Sequence, residues 1–205
     1  MERSLSDFIE QGGILVCIST MISGLPAHAF SGIDNVAAGR TAASLVNFGL
    51  RANGGHVLVL QANSTMQSHR DRIEGFVGHL DKLATVEIFL TNETPGASRE
   101  HFAAMLAEGR KPAAVYETGD PGDEIASIME TLHDKPIWIG HERNEVHDEL
   151  MRQGVLDFVI DQDPLRQAKW ALGDVLARLG IEKSAFSNVR RPELHLFCAA
   201  NLDTV

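Results

Sequence analysis

Cysteine is scarce in this chain: Cys17 and Cys198 are the only two in 205 residues. Two thiols make no disulfide framework and fit a reducing compartment. Basic residues are also few, since 18 Lys and Arg face 28 Asp and Glu for a formal net charge of −10. Gripping nucleic acid needs clustered cations that displace phosphate counterions, so this segment is unsuited to it. No apolar stretch approaches the roughly 18 residues that a membrane-crossing helix requires. The first seven residues carry acids and lack an apolar h-region, so no secretory signal is visible. What is present is a composition that is 44% hydrophobic. That is enough to bury a core, which argues against disorder, and the length suits one large domain or two small lobes.

Motifs of covalent and nucleotide chemistry are missing too. There is no GxSxG nucleophile turn, no GxxxxGK[ST] phosphate loop and no GxGxxG, so the chain reads as a non-enzyme without a cofactor. Nine histidines raise the question of a metal. His141-Glu142 with His147 is HExxxxH rather than HExxH, and histidines six apart on a helix face different ways, so no metal site is expected. His56, His79, His101 and His133 read as solvated surface groups, and Cys17 as a small core residue.

Apolar periodicity predicts strands at residues 14–18, 56–60, 86–90, 113–116, 136–139, 156–160 and 194–198. Amphipathic patterns predict helices at 37–51, 68–83, 98–107, 123–132, 145–152 and 165–179. Gly54-Gly55, Gly109 and Gly154 stand where helices end. Strands alternating with helices imply an α/β fold of parallel, Rossmann-like sheets, and the near-continuous apolar runs imply helices on both faces. Residues 19–31 read as a Gly/Pro/Ser loop, and composition breaks again at 183–192.

In such sheets ligands sit beyond the carboxyl ends of strands. The loops there carry Arg70, Glu117, Asp120, His141, Glu142 and Gln162, a polar set suited to a hydroxyl-rich small molecule. Arg70 opens a helix, where a cation opposes the dipole, and its planar fork matches paired hydroxyls or a carboxylate. The alternative is a local salt bridge, with Arg72 paired to Asp71 or Glu74. Asp34-Asn35 reads as a hinge and helix cap.

Five segments together resemble a known family. Residues 32–43 (GIDNVAAGRTAA), 69–76 (HRDRIEGF), 139–142 (IGHE), 154–168 (GVLDFVIDQDPLRQA) and 194–202 (LHLFCAANL) are similar, in order and spacing, to LacI-type transcriptional regulators and related periplasmic sugar-binding proteins. The resemblance implies the type I periplasmic-binding-protein fold, two Rossmann-like lobes with a sugar held by both. It places a partial N-terminal lobe at 1–33 and 163–190 and a complete C-terminal lobe at 34–162 and 191–205. Carried over by position, Arg70, Glu142 and Gln162 bind the ligand. Glu117 or Thr118 stands where relatives carry Asn, and Ser23 belongs to a turn in which Gly24 replaces an Asp. The wording of the motifs is closer to the regulators than to the receptors. The resemblance therefore implies the effector-binding region of a cytoplasmic regulator, with a carbohydrate effector and a homodimeric assembly. DNA would be reached only through a helix-turn-helix head ahead of this segment, and no membrane partner is expected. The alternatives are the sugar receptor of an ABC transporter, or a degenerate fragment that binds nothing. On this resemblance the front of the N-terminal lobe is missing from the 205 residues.

Overall fold

The computed structural model describes residues 2–26, 28–119, 123–181, 186 and 188–204. Two compact units emerge. The larger comprises residues 35–65, 69–161 and 196–205, and the smaller 1–34, 66–68 and 162–195.

The larger unit is built on a six-stranded sheet. Its order is β4(Ala84–Leu90)-β3(Gly55–Gln61)-β5(Ala114–Glu117)-β6(Ile137–His141)-β7(Phe158–Asp161)-β8(His195–Phe197), with strand 8 starting at the unit boundary. The ladders from β4 through β7 are parallel, with Val57 opposite both Val86 and Ala114, Val115 opposite Trp138 and His141 opposite Ile160. Parallel neighbours require crossovers. These are α3(Gln67–His79), α4(Ala97–Ala107), α5(Asp123–Met129) and α6(Glu145–Arg152), preceded by α2(Asn35–Leu50). Leu58, Leu60, Val115, Trp138 and Val159 of the sheet pack with Phe102, Met105, Ile125, Met129 and Met151 of the helices in one core. Strand 4 departs from the expected burial on both faces: as an edge strand it has no fully buried residue, and Thr85 and Ile88 are exposed.

Helices 2 and 3 touch backbone to backbone. A Cβ at Gly39 would lie 2.0 Å from the Arg72 carbonyl oxygen, and one at Gly75 2.1 Å from that of Val36. Helix 3 ends at His79, four residues before the sequence pattern does. The Asn47 side chain accepts the Asp81 N–H at 2.8 Å, and Asp81 accepts the Leu83 N–H at 2.9 Å. These side chains offer the backbone a turn in place of another helical turn.

The smaller unit contains α1(Glu2–Glu10), β1(Val16–Ile18), β2(Ala29–Ser31) and α7(Pro164–Arg178). Strand 2 lies inside what the sequence reads as a loop. Its three residues pair in parallel with β1, Cys17 opposite Phe30, a run too short to show a period. Helix 1 was also not expected, and it buries none of its residues. Helix 7 starts sharply: Pro164 occupies its first turn, and the Asp163 side chain accepts the Arg166 N–H at 2.9 Å. Buried Ser31 and Gln167 tie strand to helix, the Ser31 hydroxyl donating to the Gln167 carbonyl at 2.7 Å. Part of the composition break at 183–192 lies outside the described residues. No helix among the described residues is long and apolar enough to cross a membrane.

Candidate functional site

The parallel register brings Gln61, Glu117, His141 and Asp161 to the same edge of the larger sheet. Helix 3 presents His69, Arg72 and Phe76 to that edge as one buried stripe at 3–4 spacing. Arg72 is its centre. Only 2% exposed, its guanidinium donates from Nε to Asn35 Oδ1 at 2.8 Å and from Nη1 to the Thr118 carbonyl at 2.7 Å. Its Nη2 lies 3.9 Å from Glu142 Oε1. Burial lowers the Arg72 pKa, and the Tyr116 hydroxyl and the Glu142 carboxylate oppose that shift. Arg72, for which a local pair with Asp71 or Glu74 was the alternative reading, has these three partners from elsewhere in the chain. Asn35, read as a cap, grips Arg72.

Beneath this group the Tyr116 ring stacks on Phe76 at 4.6 Å, and its hydroxyl meets His141 Nε2 at 2.9 Å. Burial raises the Tyr116 pKa, and it holds His141 well below its usual value, with Arg72 and His69 adding to that depression. Burial, then the Arg72 charge, lowers His69 to about 4, with Glu93 acting in the opposite direction. The imidazoles are therefore neutral, and Arg72 supplies the buried positive charge. His141 ends a strand and His147 sits on α6, so the histidines of the HExxxxH pattern never share a helix.

Glu142 follows directly after β6 in a left-handed backbone conformation, φ 67°. Its side chain is 38% exposed, in contrast to the buried Arg72 behind it. Glu117, at the end of β5, is fully buried. Arg70 is exposed and turns onto its own loop, donating from Nη1 to the carbonyls of Ser64 at 2.9 Å and Thr65 at 2.7 Å. In the larger unit Arg70 thus stands in the first turn of helix 3, Glu117 at the end of β5 and Glu142 just after β6. Ser23 and Gln162 belong to the smaller unit. Ser23 is exposed in a turn. Gln162 is 3% exposed, with the Ser19 hydroxyl 3.5 Å from its Oε1. Asp120 lies outside the described residues.

Sequence reasoning missed Arg72, Asn35, His69 and Tyr116. The available signal was periodic: Arg72 falls on the same helix face as Phe76, where a charged residue needs a reason to be. A second departure is at His56 and His101, read as solvated. Their Nε2 atoms lie 3.2 and 2.8 Å from opposite oxygens of Glu87, which also takes Arg110 Nη1 at 2.7 Å. The first cluster can offer a ligand a partly exposed carboxylate, a fixed cation and oriented hydrogen bonds. Among the described residues no group of three or more His, Cys, Asp or Glu is placed to hold a metal ion.

Residues 2–182 match the family described as a periplasmic binding protein domain. No curated protein matches the chain in sequence. Among solved structures, a glucose-galactose binding protein from Geobacillus stearothermophilus superposes with a TM-score of 0.83 at 16% identity, over 98% of this chain and 73% of its own. A Caulobacter myo-inositol binding protein, bound to myo-inositol, gives 0.80 at 19% identity over 100% and 72%. An ABC transporter solute binding protein from Burkholderia graminis, in complex with D-arabinose, gives 0.83 at 16% identity over 100% and 73%.

Proposed function

We propose, from the premise that the chain belongs to the periplasmic binding protein domain family, that it binds a sugar or sugar-like polyol and catalyses nothing. The observation that carries this reading is the half-exposed Glu142 carboxylate set against buried Arg72 at the strand ends of the larger unit. A carboxylate accepts hydrogen bonds from vicinal hydroxyls, and a guanidinium behind it stabilises the charge. The solved relatives support the ligand class, since their names give glucose-galactose, myo-inositol and D-arabinose. Arg70 and Glu117 are further proposed ligand groups of the larger unit, and Ser23 and Gln162 of the smaller.

In this reading the chain is the effector-binding region of a LacI-type regulator acting in the cytoplasm as a homodimer, which the wording of the GHE and AGRTAA segments supports. A receptor for an ABC transporter is the second reading, favoured by the transport receptor among the solved relatives. The gene sequence ahead of Met1 separates them: a helix-turn-helix favours the first, a signal peptide the second. Binding itself is tested by calorimetry with D-galactose, D-arabinose and myo-inositol, and by thermal shift across a wider panel of sugars and polyols. At least one compound should bind, and Glu142→Gln should weaken it about 10- to 100-fold, as expected for a hydrogen bond to a charged group. A panel that produces neither heat nor stabilisation would remove the sugar-binding reading.

A further inference from the structure

Glu142 owes its position to its backbone. A non-glycine residue with φ of 67° holds a conformation that L side chains disfavour, and such a residue persists only when its surroundings over-determine it. Here they do, from three directions. The Glu142 N–H donates to the Ile160 carbonyl of the neighbouring strand at 3.1 Å. The next residue is anchored too: the Arg143 N–H donates to Asp161 Oδ1 at 3.0 Å. Its guanidinium forks onto Asp148 at 2.8 and 3.0 Å, reaches the Leu202 carbonyl at 2.7 Å and lies over the Phe197 ring. The third restraint is His147. Its Nδ1 lies 2.6 Å from the Glu142 carbonyl oxygen. The Asn144 amide nitrogen, a donor, lies 3.3 Å from the same Nδ1, but the carbonyl contact is much the shorter and a carbonyl only accepts, so Nδ1 carries the proton. The ring is itself immobilised: His147 is 2% exposed, and its backbone N–H donates to the Asn144 side chain at 2.8 Å as the cap of α6.

The first two restraints fix the strand end and the residue after it. The Arg143 N–H and the Glu142 carbonyl belong to one planar peptide, so Asp161 holds that peptide at its N–H end and His147 at its carbonyl end, and the two together set the left-handed turn that directs the carboxylate. We infer that His147 is a positioning residue for the ligand carboxylate, acting by donating Nδ1–H to the Glu142 carbonyl and touching no ligand itself. The inference rests on the proposed role of Glu142 in binding, but the geometric half of it stands without any ligand.

The test uses the full chain and three substitutions. His147→Asn places an amide N–H near the position of Nδ1 and should rescue. His147→Gln keeps polarity and size but carries its amide one bond too far, and His147→Leu removes the donor. The first readout needs no ligand: the three-bond HN–Hα coupling and the Cα and Cβ shifts of Glu142. Wild type and His147→Asn should show a positive φ, and His147→Gln and His147→Leu should not. Unchanged values in both of the latter would overturn the inference, and His147→Gln serves alone if the leucine variant does not fold. The second readout is affinity for whichever of D-galactose, D-arabinose or myo-inositol the wild type binds. His147→Gln should lose at least tenfold while His147→Asn stays within about threefold. Equal affinities beside a lowered melting temperature would reduce His147 to a purely structural role. A wild type that binds none of the three, with Glu142 couplings that still respond to His147, would refute the binding reading and leave the positioning intact.

Discussion

The two units solve the same packing problem with very different means. In the larger, the central strands and their helices bury Trp138, Phe102, Tyr116 and Phe76 completely. In the smaller, the buried apolar residues among those described are Cys17, Gly32, Ile33, Ala171 and Pro192. Two strands are too few for independent stability without more packing, and there polar ties such as Ser31 to Gln167 do part of the holding. Leu165 and Leu172 of α7 and Leu179 at its C-cap stay exposed at seven-residue spacing. Stability should therefore be concentrated in the larger unit, where the proposed ligand carboxylate also stands.

The largest effect that would sharpen this contrast is a cavity in the larger core. Phe102→Ala should cost about 3–5 kcal/mol, measured by chemical denaturation, whereas Ala171→Gly should cost about 1 kcal/mol. Comparable losses would mean that the smaller unit carries more of the stability than its burial indicates. Next in size is amide exchange. Strands 3, 5 and 6 should exchange only through global opening, and strands 1 and 2 at least tenfold faster; equal protection would break the comparison. The smallest effect is of acid, which should destabilise the larger unit. The folded state holds His69 near 4 against an ordinary 6.5, chiefly through burial, and His141 is depressed for the same reason. The unfolded chain then binds protons that the folded chain refuses. This part of the stability is complete above pH 6.5 and is lost as pH falls towards 4. His69→Gln should flatten the fall in melting temperature across that window, and an unchanged slope would show that His69 is not responsible.

Much of the larger unit was readable in the sequence. Strands 3, 5, 6 and 7 are covered on both faces, so their apolar runs are continuous, and Gly109 and Gly154 mark where α4 and α6 stop. Strand 2 was not readable because three residues carry no period and its partner is 13 residues away in register, Val16 to Ala29. The candidate site divides in the same way. Glu142 was accessible through the resemblance of residues 139–142 to a family turn, and Arg70 through its place at a helix start. Arg72 was not, because a buried arginine is tolerated only by partners that the fold brings from Asn35, Thr118 and Glu142, far apart in the chain. Likewise, no local pattern announces that a histidine five residues on holds the carbonyl of Glu142.

The paired glycines of helices 2 and 3 have a mechanical consequence. With each Cβ position about 2 Å from the opposite main chain, the two helices mesh like rack and pinion, and no layer of side chains is left to act as a lubricant. Sliding of packed helices, a common way for proteins to yield under a ligand, is closed to this pair. Asn35 and Arg72 therefore travel as one rigid part. Under the proposed sugar-binding reading, any accommodation of different hydroxyl patterns within the larger unit would fall to side chains outside this rigid part, such as exposed Arg70.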